Sequence, residues 1–284
     1  MDYIYHLIIF ICIYSILAQS LNIFSGYTNL LSLAHAGFYG IGAYTSAIFS
    51  IEFNFPILFN FFLAPLLCFF LAFFISLIAL RTYEDYFVIV TLGIQVTIFS
   101  LMNNLIEITN GPLGISAIPS IKYFDTNLSF MILTLVIFSF IYYLINNFSK
   151  SHYAMNLKGI KDDEIFMLSI GKNVKKTKVV IFSISASIAS IAGVLYAHYI
   201  SYIDPSSFTI DESIFILSIV IIGGLGNIRG AIVASIFMIL LPEILRFVGF
   251  SDSIGANLKQ IIYGAILILV IFYQEKWKLN AKNI

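Results

Sequence analysis

The residues best equipped for chemistry in this sequence are few and scattered. His6, His35, His152 and His198 neither cluster nor repeat at ligand spacing. Cys12 and Cys68 lie in separate apolar runs, with no metal or disulfide pattern. No His-Glu-x-x-His, Gly-x-Ser-x-Gly or Cys-x-x-Cys occurs, so hydrolytic, metal and redox catalysis have nothing to stand on. The glycine-rich run from Gly223 to Gly230 lacks the Gly-Lys-Ser/Thr end of a phosphate-binding loop. The chain is therefore expected to be no enzyme, to bind no ATP itself and to hold no metal or cofactor.

What remains is a handful of polar groups set among apolar and small ones. Ser32, His35 and Tyr44 share the run Leu31 to Tyr44 with Ala36, Gly37, Gly40, Gly42 and Ala43. Ala36, Gly40 and Ala43 or Tyr44 recur at helical spacing on one face. A small face lets helices approach closely, which is one reading. The other is a translocation pathway in which Ser32, His35, Gly40, Gly42 and Tyr44 meet a solute, because ionisable residues inside a bilayer are functional suspects. Gly223, Gly224, Gly226 and Gly230 suit a tight helical turn or a hinge. Thr109, Gly111 and Gly114 belong to a turn sequence just after an apolar run, read as an external loop. Glu107 and Glu243 flank apolar runs and read as interfacial.

The elements that must position these groups follow from composition. Of 284 residues, 60% are hydrophobic and 11% charged, with a mean hydropathy of +0.97. That leaves too little charge to coat a soluble protein of this size. Continuous apolar runs of about 20 residues fit spanning helices rather than the short alternating strands of a barrel. The zero formal net charge argues against nucleic acid as a partner. Apolar segments fall at 3–25, 29–51, 56–80, 86–107, 128–148, 177–201, 208–224, 229–248 and 257–273. The expected fold is thus all-α: one polytopic membrane domain over residues 1–284, with eight to nine transmembrane segments and broken helices. The break at Gly26-Tyr27-Thr28-Asn29 leaves almost no room for a loop, so its backbone must face protein or a watery cavity.

Charge sets the expected topology. The stretch Lys150 to Lys178 holds seven lysines against Asp162, Asp163 and Glu164, and the tail carries Lys276, Lys278 and Lys282. Lysine-rich loops stay on the cytoplasmic side. Four segments separate the two, which places the turn Gly223 to Arg229 near the cytoplasm and, counting back, the N-terminus outside. Residues 150–176 form the long polar connection. Within it, Asn156 to Ile170 reads as one short amphipathic helix ended by Gly171. It lies on the lipid surface or docks on a partner.

Three stretches together resemble a known family: Leu21 through Thr45, the run Lys161-Asp162-Asp163-Glu164 followed by Gly171, and Gly223-Gly224-Leu225-Gly226-Asn227 with Gly230. In order and spacing, over roughly residues 15–270, they resemble the M-type permeases of branched-chain amino acid ABC importers. Urea and short-chain amide permeases look much alike. The sequence departs where small, Ala-rich residues usually follow the acidic run; here it reads Ile165-Phe166-Met167-Leu168-Ser169. Thr109-Asn110-Gly111 stands where Thr-Gly-Gly is commoner.

The resemblance implies a multi-pass permease of the bacterial inner membrane, paired with a second permease subunit as a heterodimer. It implies two cytoplasmic ATPase subunits, an extracytoplasmic solute-binding protein and an amino acid substrate. It also makes 150–176 a coupling loop, with Lys161, Asp162, Asp163, Glu164 and Gly171 at the ATPase. An ion-driven secondary transporter would need carboxylates near the bilayer centre, and the acids here sit at segment ends or in the loop. A receptor or scaffold would need a sizeable soluble domain.

Overall fold

In the computed structural model, residues 2–82, 84–119 and 126–247 are described, together with 262, 264, 265, 268 and 269. Apart from one two-residue β pair, the described residues are helical or in connections. The long helices are α1 (Asp2–Thr28), α2 (His35–Glu52), α3 (Ile57–Ala79), α4 (Glu84–Asn104), α6 (Asn127–Ser149), α9 (Val174–Ile200) and α11 (Ile228–Phe247); α5 (Ile106–Thr109), α7 (His152–Asp162), α8 (Glu164–Ser169) and α10 (Ile210–Gly223) are shorter. Strand β1 (Ile115–Ser116) pairs antiparallel with β2 (Tyr202–Ile203).

Six helices among the described residues are long and apolar enough to cross a membrane, fewer than the eight to nine expected. Part of the difference has a physical cause. The run 29–51 is not a full span: α2 starts only at His35 and is rich in glycine, serine and tyrosine. The segment expected at 257–273 and the basic tail lie almost wholly outside the described residues.

Two 27-residue helices form the centre. The apolar windows of α1 and α9 are 72% and 67% buried, against 22–33% for the other spans. At about 1.5 Å per residue each is some 40 Å long, enough to cross the hydrocarbon with a turn to spare. They run in opposite directions: His6 meets Tyr199 and Phe24 meets Phe182. Helix α2 runs alongside α9 in the same direction, with His35 level with Ser185 and Ser46 with His198. Helix α3 turns Asn60, Ala64, Cys68, Ala72 and Ser76 inward and leaves Leu58, Phe62, Leu66, Phe70, Phe74 and Ile78 exposed, a lipid-facing stripe one turn apart.

Small residues set the central spacing. A Cβ on Gly42 would lie 2.2 Å from the Ser190 carbonyl oxygen, and one on Gly193 would lie 2.1 Å from that of Tyr39. Backbone therefore rests on backbone between α2 and α9, as dispersion-driven packing in lipid favours. Gly93, on α4, has nothing within 4 Å of its Cβ position. Gly42→Ala and Gly193→Ala are expected to lower the detergent melting temperature by several degrees. Gly93→Ala should raise it or leave it unchanged, since alanine favours an exposed helix by about 1 kcal/mol. Thermal unfolding of the three variants checks the contrast.

Candidate functional site

The polar centre of the bundle is built where two helices fail to continue. After α1, Asn29 turns left-handed at φ 60 and residues 29–34 run without helix before α2 begins. Since His35 is level with Ser185, near the middle of α9, this connection climbs from one end of the bundle to its centre. After α9, Ser201 turns left-handed at φ 58. The chain then descends through β2 and the 3₁₀ turn Pro205–Phe208 to α10. Phe208 is fully buried against Tyr39, Tyr44 and Tyr196. The two breaks thus enter from opposite ends and meet at the start of α2.

Side chains supply the partners that helix would have supplied. The Leu33 N–H donates to Thr91 Oγ1 (3.1 Å), Ala34 N–H to Ser32 Oγ (3.3 Å) and Ala36 N–H to Ser213 Oγ (3.1 Å). Gln95 does double duty: its Oε1 accepts from Gly37 N–H at 2.6 Å, and its Nε2 donates to the Phe208 carbonyl at 2.8 Å. One amide on α4 therefore holds both breaks.

His35 is fully buried beside this clamp. The Ser185 hydroxyl donates to the Ser20 carbonyl. Its oxygen must then accept from His35 Nε2, 2.8 Å away, which places the ring proton on Nε2. His35 Nδ1 has no hydrogen-bond partner among the described residues, and neither does the buried Tyr44 hydroxyl. Ser32 caps the break, Gly40 packs on Met102 and Phe208, and Gly42 packs on Ser190. The five residues expected along a pathway thus share one buried break and helix.

An open cavity of about 760 Å³ lies elsewhere, between α1, α10 and α11, and none of those five lines it.

The loop Lys150 to Lys178 marks one end of the bundle. Its expected single helix is two: at Asp163 the backbone is extended (φ −155, ψ 101), and the Asp163 side chain accepts from Phe166 N–H at 2.9 Å as the cap of α8. Glu164 pairs with the buried Lys178 of α9 at 2.6 Å. Lys161 donates to the Gly26 carbonyl at the end of α1 (2.8 Å). The Tyr153 hydroxyl donates to the Thr177 carbonyl at 3.1 Å, and burial pushes its phenol up from the ordinary tyrosine value. Asp163 and Glu164 therefore act within the loop, while Asp162 is exposed. Gly171 turns left-handed at φ 80, with nothing near its Cβ position. The exposed face consists of Ile165 (80% exposed), Phe166 (58%), Leu168 (53%) and Ile170 (52%).

The glycine turn lies at the same end. The Asn22 side chain forks onto it, accepting from Gly226 N–H at 2.7 Å and donating to the Asn227 carbonyl at 3.0 Å. A Cβ on Gly26 would lie 2.3 Å from Gly226 N, and one on Gly230 would lie 1.9 Å from the Gly223 oxygen. Gly224 and Gly226 have φ 88 and 85. At the opposite end, Thr109 ties its turn to the Met102 and Leu105 carbonyls. Gly111 and Gly114 turn left-handed at φ 56 and 67, and the β pair fastens this loop to the end of α9.

Sequence reasoning passed over Gln95, Thr91 and Ser213, and gave Asn22 no role of its own. The available signal was a lone amide or hydroxyl inside an apolar run, since a polar side chain there needs a partner.

The family model "Branched-chain amino acid transport system / permease component" matches residues 3–271. The chain is 30% identical over 293 residues to "High-affinity branched-chain amino acid transport system permease protein LivM" of Escherichia coli (strain K12), a match covering 93% of this chain and 67% of that protein. The protein of the same description from Salmonella typhimurium (strain LT2) gives the same identity and coverage. A "Probable branched-chain amino acid transport permease protein LivM" of Methanocaldococcus jannaschii is 23% identical over 213 residues, 71% of this chain and 61% of that one. No solved structure matches the chain.

Gln95→Met keeps the volume and removes both bonds. It leaves the Gly37 N–H and the Phe208 carbonyl buried without that amide, at roughly 1–3 kcal/mol each. The variant should unfold at clearly lower temperature than the native chain and exchange the Gly37 amide faster. An unchanged melt with unchanged exchange would show that the clamp contributes nothing.

Proposed function

This chain belongs to the branched-chain amino acid transport permease family, as a multi-pass inner-membrane transport protein and not an enzyme, and on that premise we propose how it is powered and oriented. It acts as one of two permease subunits of an ATP-binding cassette importer for aliphatic amino acids, in a heterodimer with a second permease. Two cytoplasmic ATPase subunits drive it, and an extracytoplasmic binding protein delivers the solute. The lysine-rich end faces the cytoplasm, because positive loops are retained there. The end bearing Thr109, Gly111 and Gly114 then meets the binding protein.

One observation supports the coupling role above the rest. A short helix offers Ile165, Phe166, Leu168 and Ile170 to solvent, and its loop is wired to both central helices. Lys161 reaches α1 through Gly26, and Glu164 reaches α9 through Lys178. An apolar knob on a soluble loop is costly in water unless a partner covers it. Rigid-body motion of the ATPases would move the knob, and the two bonds would carry that motion to α1 and α9. Each of those helices ends at one of the breaks. Ser32, His35, Gly40, Gly42 and Tyr44 sit where that motion arrives, and we assign the pathway's moving wall to them. Gly223, Gly224, Gly226 and Gly230 form the joint beside Gly26.

Phe166→Asp together with Ile165→Asp should cut ATP-driven leucine uptake into proteoliposomes at least tenfold. The melting temperature should hold, since both side chains are exposed. Retained uptake would remove the docking role, and uptake driven by an ion gradient without ATPases would overturn the importer assignment. Both native cysteines are buried. A cysteine placed at Ser169 should therefore label with an impermeant maleimide only from the cytoplasmic face; labelling from outside would invert the topology.

A further inference from the structure

One face of α1 carries Ser15, Gln19, Asn22 and Gly26, which fall within about a sixth of the helix circumference. This face rests on α11 and the turn before it. Ser15 meets Ser235 at 2.5 Å. The Asn22 amide is bonded at both ends, to the Gly226 N–H and the Asn227 carbonyl. Gln19, between them, is the exception. It is 1% exposed, and neither its Oε1 nor its Nε2 has a hydrogen-bond partner among the described residues. The two helices are antiparallel here, since Ser15 pairs with Ser235 and Asn22 with Asn227. That register sets Gln19 level with Ala231, which is fully buried and has no polar side chain to offer.

A buried amide with both ends unanswered destabilises the closed seam. A leucine at position 19 would fill the same apolar run without that cost. The amide is therefore matched to a partner that the closed seam lacks. Its depth says where that partner is met. Gln19 is nine residues from the end of α1, about 14 Å along the helix and so inside the hydrocarbon. The next residue, Ser20, gives its carbonyl to Ser185, the partner of His35. The amide thus stands at the level where α2 begins. Its chemistry says what the partner is. A primary amide presents a donor and an acceptor side by side, whereas a carboxylate only accepts and an ammonium only donates. We propose that Gln19 binds the zwitterionic head of an aliphatic amino acid once α11 has parted from α1, with Nε2 donating to the carboxylate and Oε1 accepting from the ammonium. The identity of the solute as an amino acid rests on the permease reading above.

The seam is built to part. One end of it is the glycine joint, where Gly224 and Gly226 turn left-handed at φ 88 and 85 just before α11. Asn22 pins that end, so a swing of α11 about the joint opens the seam beyond it, at Gln19 and Ser15. The facing side chains are small: Ala231, Ala234 and Ser235 are buried on α11. Ser15 and Ser235 give up the hydrogen bond between them, and both hydroxyls then turn to the solute or to the water that enters with it.

The test is equilibrium binding of labelled leucine to the full chain in nanodiscs, paired with thermal unfolding. The native chain should bind. Gln19→Leu should weaken binding tenfold or more and melt at the same or a higher temperature, because it removes an unanswered amide. Gln19→Asn, with the amide on a shorter arm, should fall between the two. 3-Methylbutylammonium and 4-methylpentanoate each carry one half of the head, and each should compete at least tenfold less well than leucine. Unaltered binding in Gln19→Leu means that the amide meets water alone, and overturns the proposal. A melting temperature lowered by several degrees in that variant makes the amide structural and also overturns it, as does a native chain that binds no leucine. ATP-driven uptake by the reconstituted assembly is scored separately. Its absence counts against the importer, while binding decides the role of Gln19.

Discussion

A backbone group released from its helix inside a bilayer needs a partner, because lipid offers none. Gln95 meets that demand twice, with the acceptor end of its amide on Gly37 and the donor end on Phe208. The two breaks come from opposite ends of the molecule and from chain segments far apart. Without a shared partner each would need its own polar lining, and the centre would have to admit more water. With it, the breaks are locked in register and α2 can begin half-way through the membrane. Thr91 and Ser213 extend the arrangement on either side, so α4 and α10 surround the start of α2 with acceptors. The close backbone contact of α2 with α9 becomes possible only after that start is fixed.

The central helices repeat one plan in opposite directions. Each is 27 residues long, and each stops at a left-handed residue, Asn29 or Ser201. Each is followed by a re-entrant stretch and a shorter helix. Opposed helices with re-entrant ends are a common solution in transporters, since irregular backbone at mid-membrane can line a cavity. Here the loop at one end is bonded to both helices. A displacement of that loop is therefore felt on both sides of the clamp, and neither break can shift without the amide between them.

Much of this was legible before any coordinates. The apolar runs located the spans and the lysines marked one end, while the interruption expected at Gly26 to Asn29 lies a few residues later: Gly26 to Thr28 finish α1, and residues 29–34 form the break. The number of spans was less legible, because a run's length does not say at what depth it begins. The second break was hidden for a related reason: Tyr202 to Thr209 reads as an ordinary loop, and its descent into the bundle depends on Phe208 finding Tyr39 and Gln95 finding the Phe208 carbonyl. The acidic run was recognised as special, but its internal division of labour was not. Asp163 as a cap and Glu164 as the partner of Lys178 are decided by a bend at one residue. Gln95 itself stood in plain view as the sole glutamine in its helix, in the middle of the apolar run, but its two partners lie far away in sequence, where periodicity does not reach.

The seam between α1 and α11 bears on how such a chain is made. Ser15 meets Ser235 of α11, and Asn22 holds Gly226 and Asn227 just before it, 204 to 220 residues away along the chain. Gln19 lies between them on the same face of α1, buried, with no hydrogen-bond partner for its amide among the described residues. At about 5–20 residues per second of synthesis, roughly 10–40 s pass between the emergence of one side of the seam and the other. For that interval the first helix enters the membrane with its polar face uncovered. It must be sheltered by the insertion machinery or by water at its edge, and it completes its pairing only when the eleventh helix arrives. A chain released before α11 is made would therefore keep a helix with an open polar face.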